Sequence, residues 1–309
     1  MTITNDEFDS LCALTWHRYL TLEQHKRLVP LSSGWDTSRG YAGRTYDLLN
    51  SLKRRGYVNN ALIDARAVRI WFATDKGLAV VPEEYKRDYV PSKRMATGSN
   101  WKHTHAVNMI AIAFSEVARA RDDDCGVFAL EHERLLRPGT GQAKVTADGI
   151  LQYTGMGLTK PGYLDVAWAI VELDRTTSIG RIALRLRAYA EIRRKPSLWR
   201  KVIPGDWPPI LFVVTADPKT GPKCGEKNWP GDPARAQARC NRLAASVGAM
   251  AEHEKGLRDL EVLFCPLPQL IAQGPFAPIW RRPGHAEGLD WTGKPAMHLI
   301  GESREAGAQ

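Results

Sequence analysis

The sequence predicts an α/β chain in two parts: three helices and a β-hairpin first, then a mixed sheet flanked by helices. Three observations predict it. Up to residue 81, apolar residues recur three times at helical spacing, and two short strand-like runs follow. Residues 82–100, PEEYKRDYVPSKRMATGSN, are polar, hold two Pro and lack apolar periodicity, so they read as a linker. From residue 101 onward, helical patterns alternate with short apolar runs, which is how helices packed on a sheet read.

The elements follow in order. Phe8, Leu11, Leu14 and Trp16 form a rough helical stripe over 6–19. Thr21 with Gln24 three residues on makes a capping box for a second helix ending near Val29 or Pro30. Thr37 to Arg55 is a third helix with Tyr41, Thr45, Leu48, Leu49 and Leu52 inward, and Gly56 stops it. Residues 57–60 and 68–73 read as strands around a polar turn at 61–67. Helix, helix, helix and hairpin in this order describe a winged helix-turn-helix over 1–81. Its third helix would enter the major groove. Ser38, Arg39, Arg44 and Thr45 would then reach phosphates or base edges, with Lys53 and Arg54 at the helix end and Arg66 and Arg69 on the wing. The same arrangement also serves as a protein-interaction module, and Lys53 and Arg54 then form a solvated helix end where cations suit the dipole.

Bulk properties narrow the partner. The chain has 309 residues, enough for about two domains. A net charge of +9 favours a polyanion, DNA before a membrane surface. Five Cys are scattered without a CxxC pair, which argues against a disulfide framework or a structural zinc site and fits a reducing cytoplasm. The acidic start MTITNDEFDS is no signal peptide, and no apolar run reaches the ~18 residues of a membrane span. A cytoplasmic location and no membrane partner are therefore expected.

The second part, 101–267, opens with a long helix carrying Val107, Ile110, Phe114 and Val117 on one face. Strands follow at VFALEHERLL, AKVTADGILQY and DVAWAIVELD, then a helix from Ser178 to about Arg194. PILFVVTA, a helix from Pro233 to about Glu254, and DLEVLFCPL complete it, with an irregular tail over 268–309. Trp280 and Trp291 in that tail read as packing anchors.

This order matches a restriction-endonuclease-like PD-(D/E)XK α/β domain. There, one acid lies on the second core strand and a Glu-x-Lys pair ends the third. Here Asp148 falls on the second strand, and Glu172-Leu173-Asp174 ends the third. Two carboxylates on neighbouring strands suit a hard Mg²⁺ ion, the expected cofactor, which would activate water and stabilise charge on a phosphate. Asp148, Glu172 and Glu133 are the expected ligands, with Glu116 or Glu131 as alternatives to Glu133. Asp174 occupies the usual Lys position, so the catalytic set becomes Asp148, Glu172, Asp174 and Arg185, with Arg185 supplying the cation from the following helix beside Arg181. An arginine stays charged, so it clamps phosphate without exchanging protons. Plainer roles stand beside these: Asp148-Gly149 as a turn, Glu172 and Asp174 as a polar strand end, and His105 with Asn108 as a hydrogen-bonded pair.

Over roughly residues 10–265 the chain resembles the replication-relaxation family of actinobacterial plasmids, phages and integrative elements. The resemblance rests on the winged-helix run, HTHAVNMIAIAF, EHERLL, Asp148-Gly149 and ELDRTTSIGRIALRLRAY. Two departures stand out: Arg185 where such sequences often carry Lys, and Ala147 where Pro usually precedes the acid. The resemblance implies DNA handling in replication, relaxation or transfer of mobile DNA. Three versions stay open: a metal-dependent nickase, a non-catalytic DNA-binding regulator with a degenerate nuclease fold, and an adaptor contacting replication or conjugation proteins. A homodimer fits any of them. No HxHxxxH motif stands near a helix-borne Tyr, which argues against a tyrosine relaxase of the usual kind.

Overall fold

The computed structural model describes residues 3–31, 40–63, 68–83, 101–129, 147–156, 158, 164–175, 178–200, 203–216, 229–284 and 289. Helix α1 spans Asn5–Trp16 and opens on a capping box in which Thr4 and Glu7 each bond the other's backbone amide. A two-residue strand β1 (Leu20–Thr21) leads into α2 (Leu22–Leu28), whose capping box pairs Thr21 with Gln24. Helix α3 is Gly40–Arg54. Gly56 follows at φ +80, the left-handed conformation a helix stop requires, and its amide bonds the Lys53 carbonyl.

Strands β2 (Val58–Ile63) and β3 (Val68–Ala73) form the hairpin. β1 adds to its other side, giving the sheet order β1-β3-β2. The hairpin is longer than the sequence suggested, because residues 61–63 continue the strand instead of starting the turn. Helix α4 (Asp75–Leu78) closes this unit. A Cβ at Gly77 would stand 2.1 Å from the Tyr57 carbonyl oxygen, so only glycine allows α4 to sit against that strand. The core is Leu11, Leu14, Leu49, Leu52 and Trp71.

Helix α5 (Trp101–Arg121) begins the larger unit. Strands β4 (Asp124–Ala129), β5 (Gly149–Met156) and β6 (Leu164–Asp174) are antiparallel neighbours. Then come α6 (Ile179–Arg193), α7 (Pro196–Trp199), β7 (Ile210–Val214), α8 (Pro233–His253), α9 (Lys255–Arg258), β8 (Val262–Pro266) and α10 (Leu267–Gln273). β7 and β8 run parallel to β6, so the five-stranded sheet is mixed in the order β4-β5-β6-β7-β8. Each parallel step needs a crossover helix, which α6 and α8 supply.

Those two helices cover one face of the sheet, where Ile170, Phe212, Leu186 and Leu243 meet. Helices α5 and α10 cover the other, over Leu151, Val171, Leu211 and Phe114. Buried on both faces, β7 and β8 are apolar throughout, as parallel strands between two helix layers must be.

The tail departs from the expectation of irregular chain. Residues 267–273 are helical, and Trp280 is fully buried, its indole N–H bonded to the Pro275 carbonyl. Backbone bridges join Arg281 to Phe264 and Trp280 to Leu289. A burial of this size contributes on the order of 2–3 kcal/mol and makes this stretch part of the core. Trp291 lies outside the described residues.

The two units are joined through α2 and α5. Gln24 donates to the His105 carbonyl at 2.9 Å, Asn108 to the Tyr19 carbonyl at 2.9 Å, and Tyr19 to the Trp101 carbonyl at 2.9 Å. Arg27 grips Glu116 through two bonds of 2.6 Å. Trp101 packs with Tyr19 and with Ala61, Ile70 and Phe72 of the first sheet.

Candidate functional site

Alternation along β6 decides what faces what. Ile170 points into the α6–α8 core, so Glu172 and Asp174 lie on that same face. The β5–β6 register pairs Gly149 with Val171, and one further step sets Asp148 opposite Glu172. The two acids singled out from sequence therefore do meet, at the end of neighbouring strands. Asp148 Oδ2 accepts from the Leu173 amide at 2.9 Å, and Oδ1 lies 2.9 Å from His103 Nε2 on the first turn of α5.

Helix α6 returns over this sheet end and brings the cation. Arg185 is hydrogen-bonded to Glu172, and the same guanidinium stands 3.9 Å from Asp148. One turn on, the Tyr189 hydroxyl donates to the other oxygen of Glu172. Glu172 and Tyr189 are fully buried, whereas Arg185 remains 41% exposed, so the cluster opens to solvent through the arginine.

The two carboxyls are driven apart. Burial and then the Asp148 charge push Glu172 well above its ordinary value, against the opposing pull of Arg185 and Tyr189. Burial also pushes Asp148 up, yet His103, the Leu173 amide and Arg185 together outweigh it and hold that carboxyl below its ordinary value. Burial raises the Tyr189 phenol as well, and its contact with Glu172 adds to the shift.

Asp174 does not join this group. Its carboxylate is hydrogen-bonded to Arg239 of α8, which also donates to the Thr215 carbonyl at 2.6 Å. Glu116 is engaged by Arg27 across the unit boundary. His105 and Asn108 do not pair: His105 packs edge-on against Trp229, and Asn108 serves Tyr19 and His17. Glu131 and Glu133 lie outside the described residues.

A divalent metal does not fit these side chains as they stand. Mg²⁺ requires near-octahedral oxygen ligands and binds through free carboxylate oxygens. All four oxygens of Asp148 and Glu172 already have hydrogen-bond partners, and the Arg185 guanidinium lies against both carboxyls. Among the described residues, no three His, Cys, Asp or Glu side chains are grouped to hold a metal ion.

In the smaller unit, Arg44, Lys53, Arg54 and Arg69 are all exposed. Lys53 reaches Asn60 of β2 at 3.1 Å, and Arg69 of β3 reaches the Tyr46 hydroxyl at 3.2 Å, so α3 and the hairpin share one basic surface. Tyr46 is 38% exposed beside them and was not foreseen; its spacing from Asn50 and Lys53 marks the outward face of α3. Thr45 is fully buried and cannot reach a phosphate, since its helical position is that of the inward stripe with Leu49 and Leu52. Ser38, Arg39 and Arg66 lie outside the described residues, as do Lys86, Arg87, Lys93 and Arg94 of the expected linker.

These features define a mixed α/β protein with a basic helix-and-hairpin unit and an ionic cluster at a sheet end. Residues 11–205 match the model of the replication-relaxation family, which is more than half of the chain, and the chain belongs to that family. The chain matches no curated protein and no solved structure. Among the described residues, no helix is long and apolar enough to cross a membrane.

Proposed function

We propose that this protein binds DNA during replication, relaxation or transfer of a mobile element, and that its larger unit is a nuclease-like fold whose metal position is taken by an internal guanidinium. The first unit then acts as a winged helix, with α3 in the major groove and the hairpin as wing. The observation that carries the reading of the larger unit is the Arg185–Glu172 contact beside Asp148. A charge that in a metal nuclease belongs to the cation is supplied here by the chain itself. Glu172 is fully buried and has no path to a substrate. Binding to DNA is supported by the net charge of +9 and by the exposed basic surface on α3 and the hairpin.

The test incubates purified protein with supercoiled plasmid in Mg²⁺, Mn²⁺ or EDTA and measures binding and nicking side by side. Salt-sensitive binding without metal-dependent nicking is the expected result. Nicking that requires metal and vanishes in Asp148→Asn supports the second reading, a metal-dependent nickase. What favours that reading is the placement of Asp148 and Glu172 on adjoining strand ends, with an arginine exposed enough to move aside.

A further inference from the structure

Partly buried arginines in this protein find partners. Arg185 is held by Glu172, Arg239 by Asp174, Arg27 by Glu116 and Arg55 by Glu7. Arg175, the residue after Asp174 at the end of β6, is the exception. It is partly buried, yet it makes no hydrogen bond or ion pair among the described residues. Asp148 is near enough for its charge to act on Arg175, but both Asp148 oxygens are already taken by His103 and the Leu173 amide. Arg185 lies against both Glu172 and Asp148, so among the described residues no carboxylate oxygen of this sheet end is left for the Arg175 guanidinium. Shielding a cation from water without a counter-ion is unfavourable, and arginine does not escape by losing its proton.

We propose that Arg175 is a phosphate-binding residue that engages the backbone of a nucleic acid held by the first unit. A planar guanidinium fork matches the two free oxygens of a phosphodiester, and one phosphodiester carries the single negative charge this position lacks. The source of that phosphate is set by α5. Trp101 packs into the hairpin unit, and His103, two residues later in the same turn, reaches Asp148. One helical turn therefore separates the hairpin from the sheet end where Arg175 stands. The proposal rests on the DNA-binding reading above and adds that a single nucleic acid spans both units.

The experiment measures fluorescence anisotropy of a mixed-sequence linear duplex against the full-length protein over a KCl series, with thermal melts of each variant. Arg175→Gln is expected to weaken binding roughly five- to tenfold at moderate salt and to reduce the salt slope by about one. Its melting temperature should stay level or rise, because an unpaired shielded charge has been removed. Arg175→Lys should keep most of the affinity and the slope. Wild-type affinity and slope in Arg175→Gln, beside a salt-sensitive wild type, would overturn this proposal alone. So would an affinity loss that tracks a lowered melting temperature in both variants, which marks a structural role. A wild type that fails to bind duplex at any salt overturns the DNA-binding reading and this proposal with it.

Discussion

The carboxylate of Asp174 at the end of β6 is hydrogen-bonded to the guanidinium of Arg239 on α8, and both side chains are nearly shielded from solvent, at 4% and 8% exposure. The same guanidinium serves the Thr215 carbonyl just beyond β7. One arginine thus ties the ends of two parallel strands to the helix that covers them. Removing one member of such a pair leaves the other charge buried and alone, which typically costs about 3–5 kcal/mol. Arg239→Met is accordingly expected to lower the urea midpoint steeply. Asp174→Asn strands a buried guanidinium that cannot shed its proton, so it should do at least as much harm. Equal and small effects of the two changes would mean that the pair is not a buried anchor.

The Arg185–Glu172 contact is predicted to behave differently, although it too involves a buried acid. Burial and then Asp148 push Glu172 toward its neutral form, and Arg185 is 41% exposed, so water can enter where the guanidinium is lost. Arg185→Met should therefore cost roughly 1.5–3 kcal/mol, the range of one charged hydrogen bond. Glu172→Gln should be nearly neutral, since the amide still accepts from Arg185 or Tyr189. Chemical denaturation of the two variants distinguishes this from a metal site. In a metal site, millimolar Mg²⁺ would raise the melting temperature of the wild type and Asp148→Asn would abolish the rise. No such rise is expected.

Much of this arrangement could be read from the sequence, and the limits have physical reasons. The long helices of 101–267 and the strands ending at Asp174, Val214 and Pro266 declared themselves through their apolar patterns, whereas most of the first expected strand, residues 130–136, lies outside the described residues. The meeting of Asp148 with Glu172 followed from two acids at the ends of adjoining strands. Arg185 was found because helical spacing sets it one face away from the strand end. Asp174 was misplaced because its partner lies 65 residues away on α8, and no local pattern links a strand acid to an arginine of a distant helix. Thr45 was assigned two faces at once, and burial decides for the inward one. The short strand β1 escaped notice because two residues carry no period. Arg175 gave no signal until its lack of a partner could be seen.

Histidines at the junction of the units make stability depend on pH. His17, His25 and His105 are buried, and burial lowers each from 6.5 to about 4. Between those values the unfolded chain binds protons that the folded protein refuses. Stability is therefore complete above 6.5 and is lost as pH falls through that window toward 4. A shift of this size amounts to roughly 3 kcal/mol per histidine. Neither ring nitrogen of His25 has a hydrogen-bond partner. His25→Phe should consequently flatten the acid limb without loss at neutral pH, and urea midpoints at neutral and mildly acidic pH would register it. An unchanged acid limb in this variant would locate the pH sensitivity elsewhere.

Arg44, Lys53, Arg54 and Arg69 are exposed on α3 and the hairpin, and Arg69 is positioned by the Tyr46 hydroxyl. If these groups meet phosphates, each neutralising change removes one released counter-ion and lowers the salt slope by about one, nearly regardless of DNA sequence. Arg44→Gln and Arg69→Gln should each do so. Tyr46→Phe should weaken binding less, because it only loosens the placement of Arg69. Thr45→Val makes the control: it sits one residue from Arg44 but faces the core, so its removal of a hydroxyl should leave the salt slope untouched. A slope that falls with Thr45→Val and holds with Arg44→Gln would mean that the inward and outward faces of α3 have been assigned the wrong way round. A slope indifferent to all four changes would move the DNA contact off this unit entirely, to the sheet end where Arg175 stands.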